Sequence, residues 1–212
     1  MQFMAMNKVL CLSSHPDDIE YGTLGTMLKY NKTNFDIFVF SDGGDFDLST
    51  GIKRQKECQN IWDSISNVNG DFANKLFVKD MSEDEWVSLI EKKYNIDDYD
   101  CIFTITKYDS HFEHRMINHI AFALTRTSKC GILTYKTPST LENWVPNIYV
   151  SIDDVIEKKV KLLENFKSQI IKKTAGKIYF ERESILAFHK NYLASKTGIK
   201  HVEMFKVVKY FS

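Results

Sequence analysis

Apolar and polar positions alternate between two periods along the first two thirds of the chain. Lys8 to Ser14 holds the run Val9-Leu10-Cys11-Leu12, apolar on both sides, which predicts a buried strand. Ile19, Leu24, Met27 and Leu28 recur at helical spacing and predict a helix with Gly22 and Gly25 inside it. A glycine in a helix interior costs about 1 kcal/mol relative to alanine. The pair therefore implies a helix packed closely on its strand. Phe35 to Phe40 predicts a second strand, ending in the loop Ser41-Asp42-Gly43-Gly44-Asp45. Gly51 to Ile65 predicts a helix, with Ile52, Cys58, Ile61, Trp62 and Ile65 near one face and Arg54 and Glu57 in its early turns. A short strand follows at Leu76 to Val78. Ser82 and Glu85 then form a capping box for a helix reaching about Lys93. Asp100 to Thr106 and Ile132 to Tyr135 predict further strands. Between them lies a helix carrying Met116, Ile117, Ile120, Ala121 and Leu124.

Strands alternating with helices at this spacing indicate an α/β chain. The expected architecture is a Rossmann-like, mostly parallel sheet with helices on both faces. From Pro138 the pattern changes. Asn147 to Ile152 is extended, and Ile156, Val160, Leu163, Phe166 and Ile170 mark one long amphipathic helix. Its lysines, Lys158, Lys159, Lys161 and Lys167, read as a solvated face. A second helix is expected over about Tyr179 to Ala194, and Val202 to Phe211 as a closing strand. With no repeat or linker, residues 1–212 are expected to form one domain.

The balance of 28 basic and 28 acidic residues leaves no net charge, hence no bulk attraction to nucleic acid or an anionic membrane. Apolar runs such as Ile120 to Leu124 are far too short to span a bilayer. The N-terminus lacks the pattern of a secretory signal. Cys11, Cys58, Cys101 and Cys130 are scattered without a Cys-x-x-Cys pair. They read as buried reduced thiols, which implies a cytoplasmic location.

Two clusters carry chemistry. Ser14-His15-Pro16-Asp17-Asp18 lies where the first strand turns into a helix, and His111-Phe112-Glu113-His114 where a later strand does the same. In a parallel sheet both turns fall at the carboxyl edge, where ligands bind. His15, Asp18 and His114 could supply two imidazoles and a carboxylate, a set suited to zinc with a position left for water. Of two adjacent acids, one can hold metal while the other moves protons. His119, His189 and His201 read as ordinary surface or core residues.

The stretch His15-Pro16-Asp17-Asp18-Ile19-Glu20, followed by Gly22 and Gly25, resembles the signature of the PIG-L / LmbE-like metal-dependent de-N-acetylases. The resemblance continues through the Ser41-Asp42-Gly43 loop, the Arg54 to Glu57 helix and the His111-x-Glu113-His114-Arg115 cluster. Pro146-Asn147, Lys158, Ser168-Gln169 and Val202-Glu203-Met204-Phe205 extend it over nearly the whole chain. It implies that His15, Asp18 and His114 would bind Zn2+, or another divalent metal, and that Asp17 would be the general base. It further implies His111 as acid or electrostatic stabiliser, Glu113 as the residue tuning His111, and Arg54 and Asp80 as sugar contacts. The family usually has Pro and Asp where this chain has Phe112 and Glu113.

The implied reaction is removal of an acyl group, acetyl in the first instance, from an N-acetylated amino sugar in a glycoconjugate, nucleotide-sugar or glycan precursor. The partners implied are that small molecule and, because some relatives assemble, further copies of the chain. The alternatives are an amidase acting on a thiol conjugate and a non-catalytic nucleotide- or sugar-binding domain. The absence of a Gly-x-Gly-x-x-Gly fingerprint after the first strand disfavours the latter. Trp144 and Phe46 read as packing residues rather than sugar platforms.

Overall fold

A computed structural model describes residues 6–43, 48–170 and 179–210. Five parallel strands open the chain: β1 (Lys8–Ser13), β2 (Asn34–Ser41), β3 (Val68–Lys75), β4 (Cys101–Ile105) and β5 (Gly131–Tyr135). Between them run α1 (Asp18–Lys29), α2 (Leu48–Trp62), α3 (Glu83–Lys93) and α4 (Phe112–Leu124). Then come β6 (Ile148–Ser151), α5 (Ile156–Leu163), α6 (Lys167–Ile170), α7 (Arg182–Phe188), α8 (Ala194–Thr197) and β7 (Val202–Lys209). The sheet order is β3-β2-β1-β4-β5-β7-β6. Only β7 runs against its neighbours, pairing antiparallel with β5 and β6. This is the expected α/β arrangement.

Alternation along the strands divides the core. Val9 and Cys11 of β1 face one apolar layer, and Leu10 and Leu12 face the other. Phe35, Ile37 and Val39 of β2 join the first layer, Phe38 and Phe40 the second. Side chains of period two need a helix layer on each face when both sets are apolar. Helices α1, α2 and α5 cover one face, and α3 and α4 the other. The paired glycines of α1 serve close approach, as their spacing predicts. A Cβ on Gly22 would lie 2.6 Å from the Tyr135 ring and 2.8 Å from the Lys136 carbonyl. One on Gly25 would lie 2.8 Å from Ile152 and 2.9 Å from the Glu203 carboxylate.

Four expectations are corrected. The third strand is Val68–Lys75, not Leu76 to Val78. As the sheet's edge it is polar and half-buried, so its pairing with β2 leaves no apolar signature. Val78 instead enters a 3-10 turn, buried under Trp86, whose indole N–H donates to its carbonyl at 2.8 Å. The long amphipathic helix breaks into α5 and α6, because the Glu57 carboxylate on α2 draws in the Ser168 N–H (3.0 Å) and hydroxyl. The helix expected over Tyr179 to Ala194 is only α7, Arg182–Phe188, and α8 begins where it was expected to end. Helix α7 stops at His189, whose ring nitrogens face the carbonyls of Val202 and Tyr21 at 3.2 and 3.1 Å. Finally, Lys159 is fully buried rather than solvated. Its ammonium donates to Glu203 at 2.5 Å and to the Tyr21 carbonyl at 2.6 Å. Lys167 and Lys158 are exposed as expected.

The Ser82 capping box is present, with Ser82 N–H donating to Glu85 at 2.8 Å. All four cysteines are unpaired and buried. Trp144 is buried, its indole N–H on the Thr134 hydroxyl at 3.2 Å, so it packs as expected. Phe46 lies outside the described residues. Among those residues no helix is long and apolar enough to cross a membrane.

Candidate active site

The chain winds outward through β2 and β3, then returns to lay β4 against the other side of β1. Loops leaving β1 and β4 therefore diverge, and a crevice opens between them at the carboxyl edge. His15, Asp17 and Asp18 follow β1, while His111, Glu113 and His114 follow β4. The crevice brings the two predicted clusters together.

Asp18 is the hub. Its Oδ2 lies 3.2 Å from His15 Nδ1, 3.3 Å from His114 Nε2 and 2.9 Å from the His15 N–H. The outward nitrogen of each histidine meets a second carboxylate. His114 Nδ1 faces Asp109 at 3.1 Å, and His15 Nε2 faces Glu113 at 3.0 Å. Asp109 is itself fixed by the His111 N–H (2.8 Å) and the Thr137 hydroxyl (2.6 Å). Glu113 anchors its other oxygen on the Val78 N–H at 2.7 Å.

These residues fit a divalent metal. A carboxylate opposite one ring nitrogen places the N–H there and turns the lone pair of the other inward. Two lone pairs then converge on the Asp18 oxygen, an arrangement that repels unless a cation stands between them. His15, Asp18 and His114 offer donor atoms all within 4.8 Å of one another, as do His15, His111 and Glu113. A proton answers the same demand at His114: burial opposes its charge, but Asp18 and Asp109 outweigh burial and push its pKa up to about 10. Burial acts against Asp18 as well, yet the His114 and His15 rings hold it well below the carboxylate range.

Asp17 stands beside this set in a backbone conformation that favours glycine, with φ of 120°. Glu20 holds it there by accepting its N–H at 3.0 Å, while also accepting from Trp62 Nε1 at 2.7 Å. Arg54 donates to Asp17 Oδ2 through Nε (3.1 Å) and Nη2, and to the Gly43 carbonyl through Nη1 (2.8 Å). Burial pushes the Asp17 pKa up to about 6, against the opposing pull of Arg54. His111 stacks on His114 with centroids 4.6 Å apart. Burial, and then the neighbouring His114 and His15, lower its pKa.

Several sequence assignments change here. Glu113 touches His15, not His111, because its longer side chain starts from the first turn of α4 and reaches across the crevice. Arg54 is buried and paired with Asp17. Asp80 is exposed and caps its own turn by accepting the Phe77 N–H at 2.9 Å, outside the residues lining the cavity. Sequence reasoning missed Asp109. Its one signal was an acid at the end of a strand, five residues before a histidine, which is too common to single out. Asp109→Asn is expected to weaken metal affinity about tenfold to a hundredfold, measured by competition with a chromophoric chelator. Unchanged affinity would show that the His114 tautomer does not depend on this carboxylate.

A cavity of about 400 Å3 opens over His15 and His111, walled by Phe77, Phe112, Leu76 and Lys79. A larger cleft of about 840 Å3 lies beside α3 and the β3 edge, lined by Phe72, Met81, Ser88 and Lys92. That cleft holds none of the clustered histidines, whereas the smaller cavity is lined by His15 and His111.

No protein-family model and no curated protein matches the chain. Solved structures do. An N,N'-diacetylchitobiose deacetylase from Pyrococcus horikoshii is similar over 98% of this chain and 85% of its own, with a TM-score of 0.76 and 21% identity. A teicoplanin deacetylase, solved in a zinc-inhibited form, is similar over 96% and 98%, with a TM-score of 0.71 and 13% identity. A 4-carboxy-2-hydroxymuconate hydratase from Pseudomonas putida is similar over 96% of each chain, with a TM-score of 0.74 and 12% identity. The fold is thus shared by deacetylases and a hydratase.

Proposed function

We propose that residues 1–212 form one PIG-L / LmbE-like deacetylase domain, a metal-dependent hydrolase removing acetyl from an N-acetylated amino sugar. The carrying observation is the convergence of His15 and His114 on one oxygen of Asp18, with Asp17 alongside. The fold shared with an N,N'-diacetylchitobiose deacetylase and a teicoplanin deacetylase supports the same reading, and the hydratase is the reason the site, not the fold, must carry it.

Zinc is the metal we assign to His15, Asp18 and His114; bound there, it would polarise the amide carbonyl and acidify water. Asp17 takes the proton from the attacking water. Arg54 occupies Asp17 Oδ2, which leaves Oδ1 as the acceptor and fixes its direction. His111, neutral because its pKa is lowered, donates an N–H to the oxygen that gains charge. Glu113 and Asp109 hold the two ligand histidines in the tautomers that face Asp18. The four buried, unpaired thiols support a reducing compartment, and we place the protein in the cytoplasm.

The test is metal content together with acetate release from N-acetylglucosamine-containing compounds. About one zinc per chain and metal-dependent acetate release are expected, lost with a chelator and restored by zinc. A protein that binds no divalent metal, or binds it and releases no acetate from any such compound, overturns the reading.

A further inference from the structure

The lining of the cavity over His15 and His111 is of mixed character. Glu113 is on its wall, and Asp18 contacts His15. Phe77, Phe112, Leu76 and Lys79 also line it. Histidines aside, Lys79 is the one cationic side chain among the described lining residues. Its Nζ lies 4.7 Å from the centroid of the Phe77 ring, and it has no carboxylate partner among the described residues. Of the other nearby cations, Arg54 is committed to Asp17 and Gly43, and Arg115, 6.0 Å from the Phe112 ring centroid, donates to the Asp109 and Ser110 carbonyls.

We propose that Lys79, between the walls formed by Phe77 and Phe112, is a specificity subsite for an anionic group, phosphate or carboxylate, carried by the acylated sugar. This rests on the deacetylase reading and names the substrate class within it. Phenyl faces suit the apolar face of a pyranose ring. An ammonium resting on an aromatic ring keeps its three donors and can turn to an oxyanion. The spacing is set by the backbone. Val78 N–H and Lys79 N–H, at 2.7 and 3.5 Å, both point at Glu113, whose other oxygen faces His15. Glu113 thus links the segment that carries Lys79 to His15. A chain without net charge exerts no general pull on an anion, and the carboxylates beside His15 repel one. Selection of an anionic sugar then needs a local cation, and Lys79 is in that place.

The experiment is calorimetric binding to the zinc-loaded Asp17→Asn protein, which blocks turnover. The probes are N-acetylglucosamine 1-phosphate, N-acetylglucosamine 6-phosphate, N-acetylmuramate and neutral N-acetylglucosamine. At least one anionic probe should bind about tenfold or more tightly than the neutral sugar; which one does so distinguishes phosphate from carboxylate. Adding Lys79→Met should bring that probe to the affinity of the neutral sugar, and Lys79→Glu should invert the order. The neutral sugar should bind alike, within about twofold, in all three. Equal affinity for all four probes, or a preference that survives Lys79→Glu, overturns the subsite. Wild-type turnover of the same sugars is measured in parallel. Anion preference in binding without acetate release would keep the subsite and remove the deacetylase reading.

Discussion

Asp17→Asn should still bind the divalent metal and lose kcat by about a hundredfold to ten-thousandfold, the range for a positioned general base. Asparagine can still accept from Arg54 through its amide oxygen, and the backbone N–H on Glu20 is untouched. The fold and the His15-Asp18-His114 set therefore survive, and what disappears is a group able to take a proton. His114→Ala is the counterpart, expected to lose metal and turnover together. The pair separates proton transfer from metal binding, with metal content read by elemental analysis and turnover by acetate release. A pH profile adds a signed expectation. Burial pushes the Asp17 pKa up to about 6, and a base works only when deprotonated, so kcat falls on the acidic side. A cation on neighbouring Asp18 draws the value back down, which places the acid limb at or below about pH 6. If Asp17→Asn turns over normally, Asp17 is not the base and the non-catalytic binding domain becomes the better reading.

Lys159→Met should cost about 3–5 kcal/mol of stability, the penalty for leaving one member of a buried ion pair without its partner. Neither Lys159 nor Glu203 has any exposed side-chain surface. Glu203 also accepts from Gly25 N–H (2.7 Å), Thr26 N–H (2.6 Å) and the Thr26 hydroxyl (2.5 Å), all on α1. The pair thus ties α5 and the closing strand β7 to the helix whose first turn carries Asp18. Against a total stability of about 5–15 kcal/mol, a loss of this size lowers the urea midpoint severely. The double variant Lys159→Met with Glu203→Met removes both charges and should recover much of the loss. A Lys159→Met protein within about 1 kcal/mol of wild type would show that the pair is not held as the structure has it. The same tie explains Gly25, since any Cβ there would press on the Glu203 carboxylate.

The amino-acid sequence by itself determined the alternation of strands and helices, the two-sided burial of β1 and β2, the close packing implied by Gly22 and Gly25, and the Ser82 capping box. Each is written in neighbouring residues, through side-chain period, backbone freedom or a side chain reaching its own helix start. It also placed His15, Asp17, Asp18, His111, Glu113 and His114 at strand ends, because those turns follow apolar runs. What it could not set is which distant groups meet. Lys159 sits among lysines that are solvated, and only the position of Glu203 on β7 makes it a core residue. Arg54 meets Asp17 because β2 lies beside β1, and Glu113 meets His15 because β4 returns to lie on the other side of β1. Strand β3 was hidden for a related reason, since an edge strand is held by backbone pairing and needs no apolar pattern. Local periodicity states which face of an element avoids water. The order of strands in the sheet decides what that face, and each polar group beside it, will touch.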